Sequence, residues 1–323
     1  MQRGKSRLKA ANEEMPKVSI CIPAYRNPAG IARLLASVKG QTYTDYEVVV
    51  TDDSPDESVR DAALLAGVKN LRYYRNETRL GASGNWNEAV RRSRGDLIKM
   101  MHHDDWFAAP DSLERLVGLL EENPSAALAF CGTWQVSLAE GAAGQDPFGS
   151  AGQKPSADRF SRCISQEHLD LLKKDWRNLF LGNYIGAPSA VLYRKNRLEY
   201  AKELTWLVDV EYYLRLLREN FHFSCTTEPL VCIGVSAGQL TRKCEQDGDL
   251  NLREYGYLFR EFGLQGTLAY ETKLAEVALA YHKTWKDVRP YGAAKEIFCR
   301  TMWKKRAKDL RFLAGVAKKK VFG

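Results

Sequence analysis

The chain has 323 residues, of which 45% are hydrophobic and 11% aromatic, so it can bury a large core and is neither disordered nor fibrous. The segment 300–323 holds nine of the 48 Lys and Arg residues and one of the 40 Asp and Glu residues, which leaves 39 of each sign elsewhere. A basic channel through the body of the protein is therefore not expected, and neither is a nucleic-acid partner.

The cysteine pattern and the hydropathy of the chain indicate its cellular compartment. Seven widely spaced Cys residues without a CxxC pair argue against a disulfide framework or a zinc knuckle and favour a reducing, cytoplasmic environment. No apolar run is long enough for a transmembrane helix, and the basic N-terminus lacks the apolar stretch of a signal peptide.

Strands alternate with helices from residue 17 to about residue 135. In chain order, the pattern predicts strands at Val18–Ile22, Glu47–Thr51, Leu71–Tyr74, Leu97–Met101 and Ala127–Trp134, and helices at Ala29–Val38, Ser58–Leu65, Ser83–Ser93 and Asp111–Glu121. Such alternation predicts an α/β fold with a Rossmann-like, mostly parallel central sheet flanked by helices. The loops that follow the first four strands are expected to form the ligand site, because ligands bind beyond the carboxyl ends of such strands.

Two acidic pairs stand in these loops. Asp52 and Asp53 follow the second strand, and Asp104 and Asp105 follow the fourth. Adjacent carboxylates repel each other unless a cation or hydrogen-bond donors compensate. Helix capping explains either pair alone, but their common place at strand ends favours a ligand or metal site. None of the loops has the glycine pattern of a dinucleotide-binding or P-loop protein.

Four segments resemble the family-two glycosyltransferases in order and spacing: Val18–Asn27, Tyr46–Asp56, Arg79–Ala89 and Gly95–Asp105. Members of that family are inverting enzymes with the A-type nucleotide-sugar-binding fold. The resemblance implies a nucleotide-diphosphate sugar donor, a UDP-sugar in particular, and transfer to a hydroxyl of a glycan or lipid-linked saccharide. It also implies a place in bacterial-type cell-surface polysaccharide synthesis.

The resemblance also assigns donor-site roles. Tyr25 belongs to a turn that is similar to the loop packing on the nucleotide base and ribose. Asp52 matches the acid that accepts a hydrogen bond from the uracil N–H, and Arg79 falls where some members contact the base. The donor-binding residues implied in this way are Pro23, Ala24, Tyr25, Asn27, Asp52, Asp53, Arg79 and Asp104.

Asp104 and Asp105 match the end of the family's metal motif. A divalent ion, Mn²⁺ or Mg²⁺, would neutralise the charge that develops on the leaving diphosphate, and carboxylate oxygens suit both ions. His102 stands where the family usually has the first acid of the motif. The residue is either a ligand for Mn²⁺ or a spacer, and we favour the spacer.

The segment Trp206–Leu216 looks like the family's helix that carries the catalytic base. Asp209 then aligns with the base that takes the proton of the acceptor hydroxyl, and Glu211 is the next candidate. The alternative interpretation of Asp209 is an N-cap or first-turn acid favoured by the helix dipole, and this is compatible with its being the base. The acceptor-side residues implied by the resemblance are Gly186, Pro188 and Ser189, with Arg242 as a possible diphosphate contact.

These features divide the chain into five segments: a basic N-terminus 1–16, a nucleotide-sugar-binding half 17–138, a loop 139–158, an acceptor-binding half 159–245 and a helical C-terminal region 246–323. The last of these ends in a basic amphipathic helix. Its apolar stripe contains Trp303, Ala307, Leu310, Ala314, Ala317 and Val321. We favour contact of this stripe with an anionic membrane through residues 300–323 over packing on the catalytic domain.

Two other functions remain open from the sequence. A nucleotidyltransferase uses a related fold and paired acids, but it normally carries a glycine-rich loop with a basic residue after its first strand. A degenerate, non-catalytic nucleotide-sugar-binding module is the other alternative, suggested by His102 and by Ser236, which replaces a common histidine.

Overall fold

A computed structural model describes residues 15–138, 159–236 and 240–322. The strands are β1 Val18–Ala24, β2 Tyr46–Asp52, β3 Leu71–Arg75, β4 Leu97–Met100, β5 Trp106–Phe107, β6 Leu128–Ser137, β7 Arg159–Arg162, β8 Val191–Arg194 and β9 Phe223–Val235. The helices are α1 Pro28–Lys39, α2 Ser58–Leu65, α3 Gly81–Arg92, α4 Ser112–Glu121, α5 Gln166–Lys174, α6 Val208–Glu219, α7 Leu240–Gln246, α8 Gly248–Glu261, α9 Leu268–Ala280, α10 Trp285–Val288 and α11 Lys295–Phe322. The predicted loop 139–158 and most of the predicted N-terminal segment lie outside the described residues.

The sheet has the strand order β3-β2-β1-β4-β8-β6-β9-β5, with β7 beside β6. The first four strands pair in parallel, as the alternating pattern predicts. Because Ala24 pairs with Asp52, and Cys21 with Met100, the carboxyl ends of β1, β2 and β4 reach one edge of the sheet. The loops that carry the predicted donor residues therefore start next to one another.

The second half of the sheet differs in direction from the first. Strand β8 is antiparallel to both β4 and β6, and β5 is antiparallel to β9, while β6 and β9 are parallel. The sheet is thus mixed: its Rossmann-like part ends at β4. Strand β5 has only two residues, too short for a periodic pattern to reveal.

Helices cover both faces of the sheet, because side chains alternate between the faces along each strand. Ile20 and Ile22 pack in one core with Leu34 of α1 and Leu116 of α4. The opposite core contains Cys21 with helices α3 and α6 and the C-terminal helices. Leu207, Val210, Leu214 and Leu217, predicted as the buried stripe of the base-bearing helix, are all buried.

The structure also bears on two sequence predictions, one for the start of α4 and one for membrane-spanning helices. Asp111 flanks α4 as expected, but its carboxylate makes no capping hydrogen bond and lies 3.9 Å from Arg115 instead. Among the described residues, every helix is too short or too polar to cross a lipid bilayer.

Candidate active site

An aromatic ring in the loop after β1 packs against two guanidinium groups. Tyr25 is half-buried, and the guanidinium carbons of Arg26 and Arg79 lie 5.1 and 4.5 Å from its ring centroid. Tyr25 and Arg79 come from loops more than 50 positions apart in the chain, and the parallel register brings them together. A planar aromatic face beside a guanidinium suits a stacked nucleotide base.

Asn27 and Pro23 support this loop. The Asn27 side-chain oxygen accepts the Gly30 N–H at 2.9 Å, which caps α1. Pro23 and Ala24 are the last residues of β1, and the Pro23 carbonyl lies 3.3 Å from His103 Nδ1. Gly30 has no room for a side chain, since an added Cβ would lie 2.4 Å from the His103 carbonyl oxygen. The loop after β1 therefore rests directly on the loop after β4.

The carboxylate of Asp52 is fully buried and already occupied. One oxygen accepts the Ser54 N–H at 2.8 Å, and the other accepts the Tyr73 hydroxyl at 2.6 Å. A side chain with no exposed surface and two internal donors is not available to a base. The geometry therefore gives no support to the prediction that Asp52 accepts a hydrogen bond from the uracil N–H. Asp52 instead holds its own loop in place through these two bonds.

Asp53 organises the loop that carries Arg79. Its carboxylate accepts the N–H groups of Leu80 and Gly81 at 3.1 and 2.9 Å, and also the Asn76 side chain at 2.7 Å. Gly81 has a positive φ of 75°, a conformation that favours glycine. Asp53 thus fixes the backbone just after Arg79.

His102, Asp104 and Asp105 form one cluster after β4. Each offers a ligand atom, and these atoms all lie within 4.8 Å of one another. Two carboxylates and an imidazole grouped this closely could together hold a divalent ion. Gly234 of β9 backs the cluster: its N–H donates to Asp105 at 3.1 Å, and an added Cβ would lie 2.4 Å from the Asp104 carbonyl oxygen.

The protonation states in the cluster suit a cation. Burial raises the pKa of Asp105 well above its usual range, and the neighbouring Asp104 charge raises it further. Burial lowers the pKa of His102 to about 4, so its imidazole is neutral at neutral pH. His102 Nε2 is buried and has no hydrogen-bond partner within the described residues, and the ring packs on Trp86 with centroids 4.6 Å apart. A neutral imidazole nitrogen with no partner in the described part of the chain, beside two carboxylates, fits a metal ligand better than a spacer.

Ser189 connects this cluster to the segment that the sequence predicts on the acceptor side. Its hydroxyl oxygen accepts the His102 N–H at 2.9 Å and also bonds to Asp105. Its carbonyl accepts a hydrogen bond from the buried Lys99, whose pKa falls to about 8 because of burial. Pro188 opens the short 3₁₀ turn that presents Ser189.

Asp209 lies in the first turn of α6, where its carboxylate accepts the Val210 N–H at 2.8 Å and the Asn183 amide at 2.8 Å. Burial raises its pKa to about 6, against the opposing effect of these hydrogen bonds. The helix is preceded by Leu207, so Asp209 is not its N-cap. Asn183 also accepts the Gly186 N–H at 2.9 Å, and Gly186 adopts a positive φ of 103°. One segment, 183–189, therefore contacts both Asp209 and the acidic cluster.

Glu211 does not share this position. It is buried, and Arg215 donates to both of its oxygens at 2.6 and 2.7 Å. A carboxylate held in a bidentate ion pair is a poor proton acceptor. Glu211 is therefore a structural partner of Arg215 and not the reserve base that the sequence suggested. Arg242 is on α7, and its side chain lies outside the described part of the chain.

Sequence reasoning missed Glu254. This fully buried carboxylate on α8 accepts the N–H groups of Thr205, Trp206 and Leu207 at 2.7, 2.9 and 2.8 Å. Those three groups precede α6, so Glu254 fixes the start of the helix that carries Asp209. It lies 45 positions after Asp209 with no recognisable spacing, and no local pattern could have identified it.

Comparison with known proteins identifies the family of the chain. The profile described as "Glycosyl transferase family 2" matches residues 19–200, more than half of the chain. An uncharacterised protein of Mycobacterium tuberculosis is 32% identical over 213 residues, which cover 64% of each chain. The Escherichia coli UDP-Glc:alpha-D-GlcNAc-diphosphoundecaprenol beta-1,3-glucosyltransferase WfgD is 31% identical over 107 residues, 33% of this chain and 42% of that protein. The matches thus span less than two thirds of these relatives.

Two solved structures share the fold. TarS 1–349 from S. aureus, in complex with UDP-GlcNAc, has a TM-score of 0.57 at 15% identity and covers 85% of this chain and 78% of its own. The mannosyltransferase PcManGT from Pyrobaculum calidifontis, in complex with GDP-Man and Mn²⁺, has a TM-score of 0.54 at 16% identity and covers 96% and 82%. At such identities the likeness shows the fold alone. The sequence resemblance is confirmed by the family match, and the chain belongs to glycosyl transferase family 2.

Proposed function

We propose that this protein transfers a sugar, with inversion, from a UDP-sugar to a hydroxyl of a lipid-linked saccharide. The observation that carries the proposal is the segment 183–189, which bonds to Asp209 at one end and to the His102–Asp105 cluster at the other. A base and an anion-binding site must flank one anomeric carbon in a single displacement, and this segment gives both a common support.

The transfer follows from these positions. The acceptor oxygen attacks the anomeric carbon while its proton passes to the Asp209 carboxylate, and the bond to the diphosphate breaks with its electron pair on the diphosphate. A group with a pKa of about 6 is ionised near neutral pH and still basic enough to accept a proton. Asn183 orients the carboxylate, and Glu254 holds the helix start on which it lies.

A divalent ion, Mn²⁺ or Mg²⁺, fits the donor side. His102, Asp104 and Asp105 would hold it, and the ion would supply a counter-charge for the leaving diphosphate. Tyr25 and Arg79 are proposed to contact the nucleotide base, with Asp53 fixing the Arg79 loop.

The acceptor class rests on relatives. The names of the E. coli relative WfgD and of a Campylobacter jejuni relative, 23% identical over 94 residues (28% of this chain and 30% of that protein), both specify undecaprenol-linked substrates. By extension we propose a lipid-linked saccharide for this chain and a place at the cytoplasmic face of a membrane.

The test is a transfer assay on the purified chain with a panel of UDP-, GDP- and dTDP-sugars and a polyprenyl-diphosphate saccharide, with and without Mn²⁺. Transfer from one UDP-sugar that requires Mn²⁺ and is lost in Asp209→Asn supports the proposal. The matched control is Asp249→Asn, an exposed first-turn acid of α8 paired with Lys283. Donor binding without transfer or hydrolysis would indicate a binding module, and nucleotidyl transfer would refute the proposal.

A further inference from the structure

Helix α11 is held to the rest of the protein only at its beginning, as far as its described side chains show. Phe298 and Thr301 are buried, and the Lys305 ammonium donates to the Leu279 carbonyl of α9 at 2.8 Å. These three positions follow a helical spacing of three and four residues, so they share one side. All side chains from Trp303 to Phe312 are exposed.

The side opposite α9 is apolar. Trp303 is 64% exposed and Leu310 67%, and the two are seven residues apart, about two turns along the same side. Trp303 lies about 200° around the helix from Lys305, at about 100° per residue, so it points away from α9. Phe312 is 71% exposed but lies two turns beyond Lys305 on the same side as that lysine, so it is not part of this apolar side. The alternative that the apolar stripe packs on the catalytic domain is therefore wrong for these residues.

The same segment carries the excess charge of the chain. Residues 300–323 hold nine Lys and Arg residues and one acid, Asp309, while the rest is balanced. Lys304, Lys308 and Arg311 are exposed along one flank of the apolar side, and the Arg306 guanidinium carbon lies 5.6 Å from the Trp303 ring centroid. Exposed apolar groups bordered by cations match the interfacial region of an anionic bilayer, where tryptophan is enriched.

We propose that the exposed side of α11, centred on Trp303 and Leu310, docks onto an anionic phospholipid surface. A nucleic-acid backbone would engage the cations and leave Leu310 in water. A second copy of this chain would place two strongly basic segments against each other. The bilayer alone satisfies both the charge and the apolar surface. This inference does not depend on the sugar-transfer chemistry, because lipid binding is measured without donor or acceptor.

The test is co-sedimentation of the full chain with vesicles of phosphatidylglycerol and phosphatidylcholine, and with phosphatidylcholine vesicles alone. The variants are Lys304→Glu/Lys308→Glu/Arg311→Glu and Trp303→Ala. The matched control is Lys69→Glu/Lys174→Glu/Lys286→Glu, which changes the net charge equally at exposed lysines outside α11. Circular dichroism and UDP-sugar binding check that each variant is folded.

We expect binding to anionic vesicles only, weakened by 1 M salt. At about fivefold per basic residue, the α11 triple variant should bind at least 10-fold more weakly, and the control should match the parent chain. Trp303→Ala should bind several-fold more weakly. Equal sedimentation of all variants would overturn the proposal. So would preferential binding to a single-stranded oligonucleotide, or self-association that Trp303→Ala abolishes in light scattering.

Discussion

Asn183 donates a hydrogen bond to the candidate base, and its removal gives a quantitative test of the Asp209 assignment. Its amide donates at 2.8 Å to the Asp209 carboxylate, whose pKa is about 6 because burial outweighs this bond and the backbone bonds. A hydrogen bond to a charged group contributes about 1.5–3 kcal/mol, which corresponds to about 1–2 pKa units. Asp209 is half-buried, so water can replace part of the lost bond. We therefore expect Asn183→Ala to raise the pKa of Asp209 by about one unit.

The direction of the change in activity with pH follows from the role of the Asp209 carboxylate as a base. The base works when deprotonated, so activity falls as the pH drops through the pKa. A rise from about 6 to ~7 would lower kcat/KM at pH 6 about fivefold and leave it within about 20% of the parent value at pH 8.5.

The assay is the pH profile of kcat/KM between pH 5 and 9, which reports the free enzyme. Asn196→Ala is the matched control: Asn196 also braces a loop, through Leu198 and Tyr212, without contacting Asp209. An unchanged acidic limb in Asn183→Ala, or an active Asp209→Asn variant with the parent profile, would refute the assignment of Asp209 as the base.

Three further predictions concern the residues around the base and the cluster. Asp104→Ala and Asp105→Ala should each weaken UDP binding in Mn²⁺ at least 10-fold by calorimetry, and parent affinity in either would contradict the metal assignment. His102→Ala should weaken Mn²⁺ binding. His102→Asp should shift the metal preference of the cluster toward Mg²⁺, because imidazole favours the later transition metals. An unchanged Mn²⁺/Mg²⁺ affinity ratio would support the spacer interpretation. Glu254→Gln should lower kcat about 10-fold with donor KM unchanged, because the substitution weakens the hydrogen bonds that hold the start of α6. The control is Glu261→Gln, a substitution of an exposed acid on the same helix. Equal kcat in both variants would exclude a positioning role for Glu254.

The predictable part of the fold is local. The four parallel strands and their loops follow from apolar runs that end in turn residues, and the parallel register then places Tyr25 beside Arg79. Strand β5 and the antiparallel pairs of β8 depend on contacts between distant segments, which periodicity does not encode. The mixed half of the sheet could therefore not be predicted from the sequence.

The same distinction separates the site residues. The occupied carboxylate of Asp52 could not be recognised, because its partner Tyr73 lies 21 positions away. Glu211 is different: an acid four residues before Arg215 on a helix is a recognisable ion-pair spacing, and weighing it would have removed Glu211 as a reserve base. His102 needed the structure, since only its buried, unpartnered nitrogen distinguishes a ligand from a spacer.

The environments of Asp104, Asp105 and Asp209 differ in the way that the two proposed roles require. Asp104 and Asp105 are adjacent, and Asp105 is buried, so their ionised forms repel and call for a cation. Burial raises the pKa of Asp209, while hydrogen bonds from neutral donors and the charge of Arg162 lower it, so that its pKa is about 6. Asp209 is therefore ionised at neutral pH and still basic enough to accept a proton. Placing the donor's diphosphate at the pair and the acceptor's hydroxyl at Asp209 is the arrangement that uses both environments.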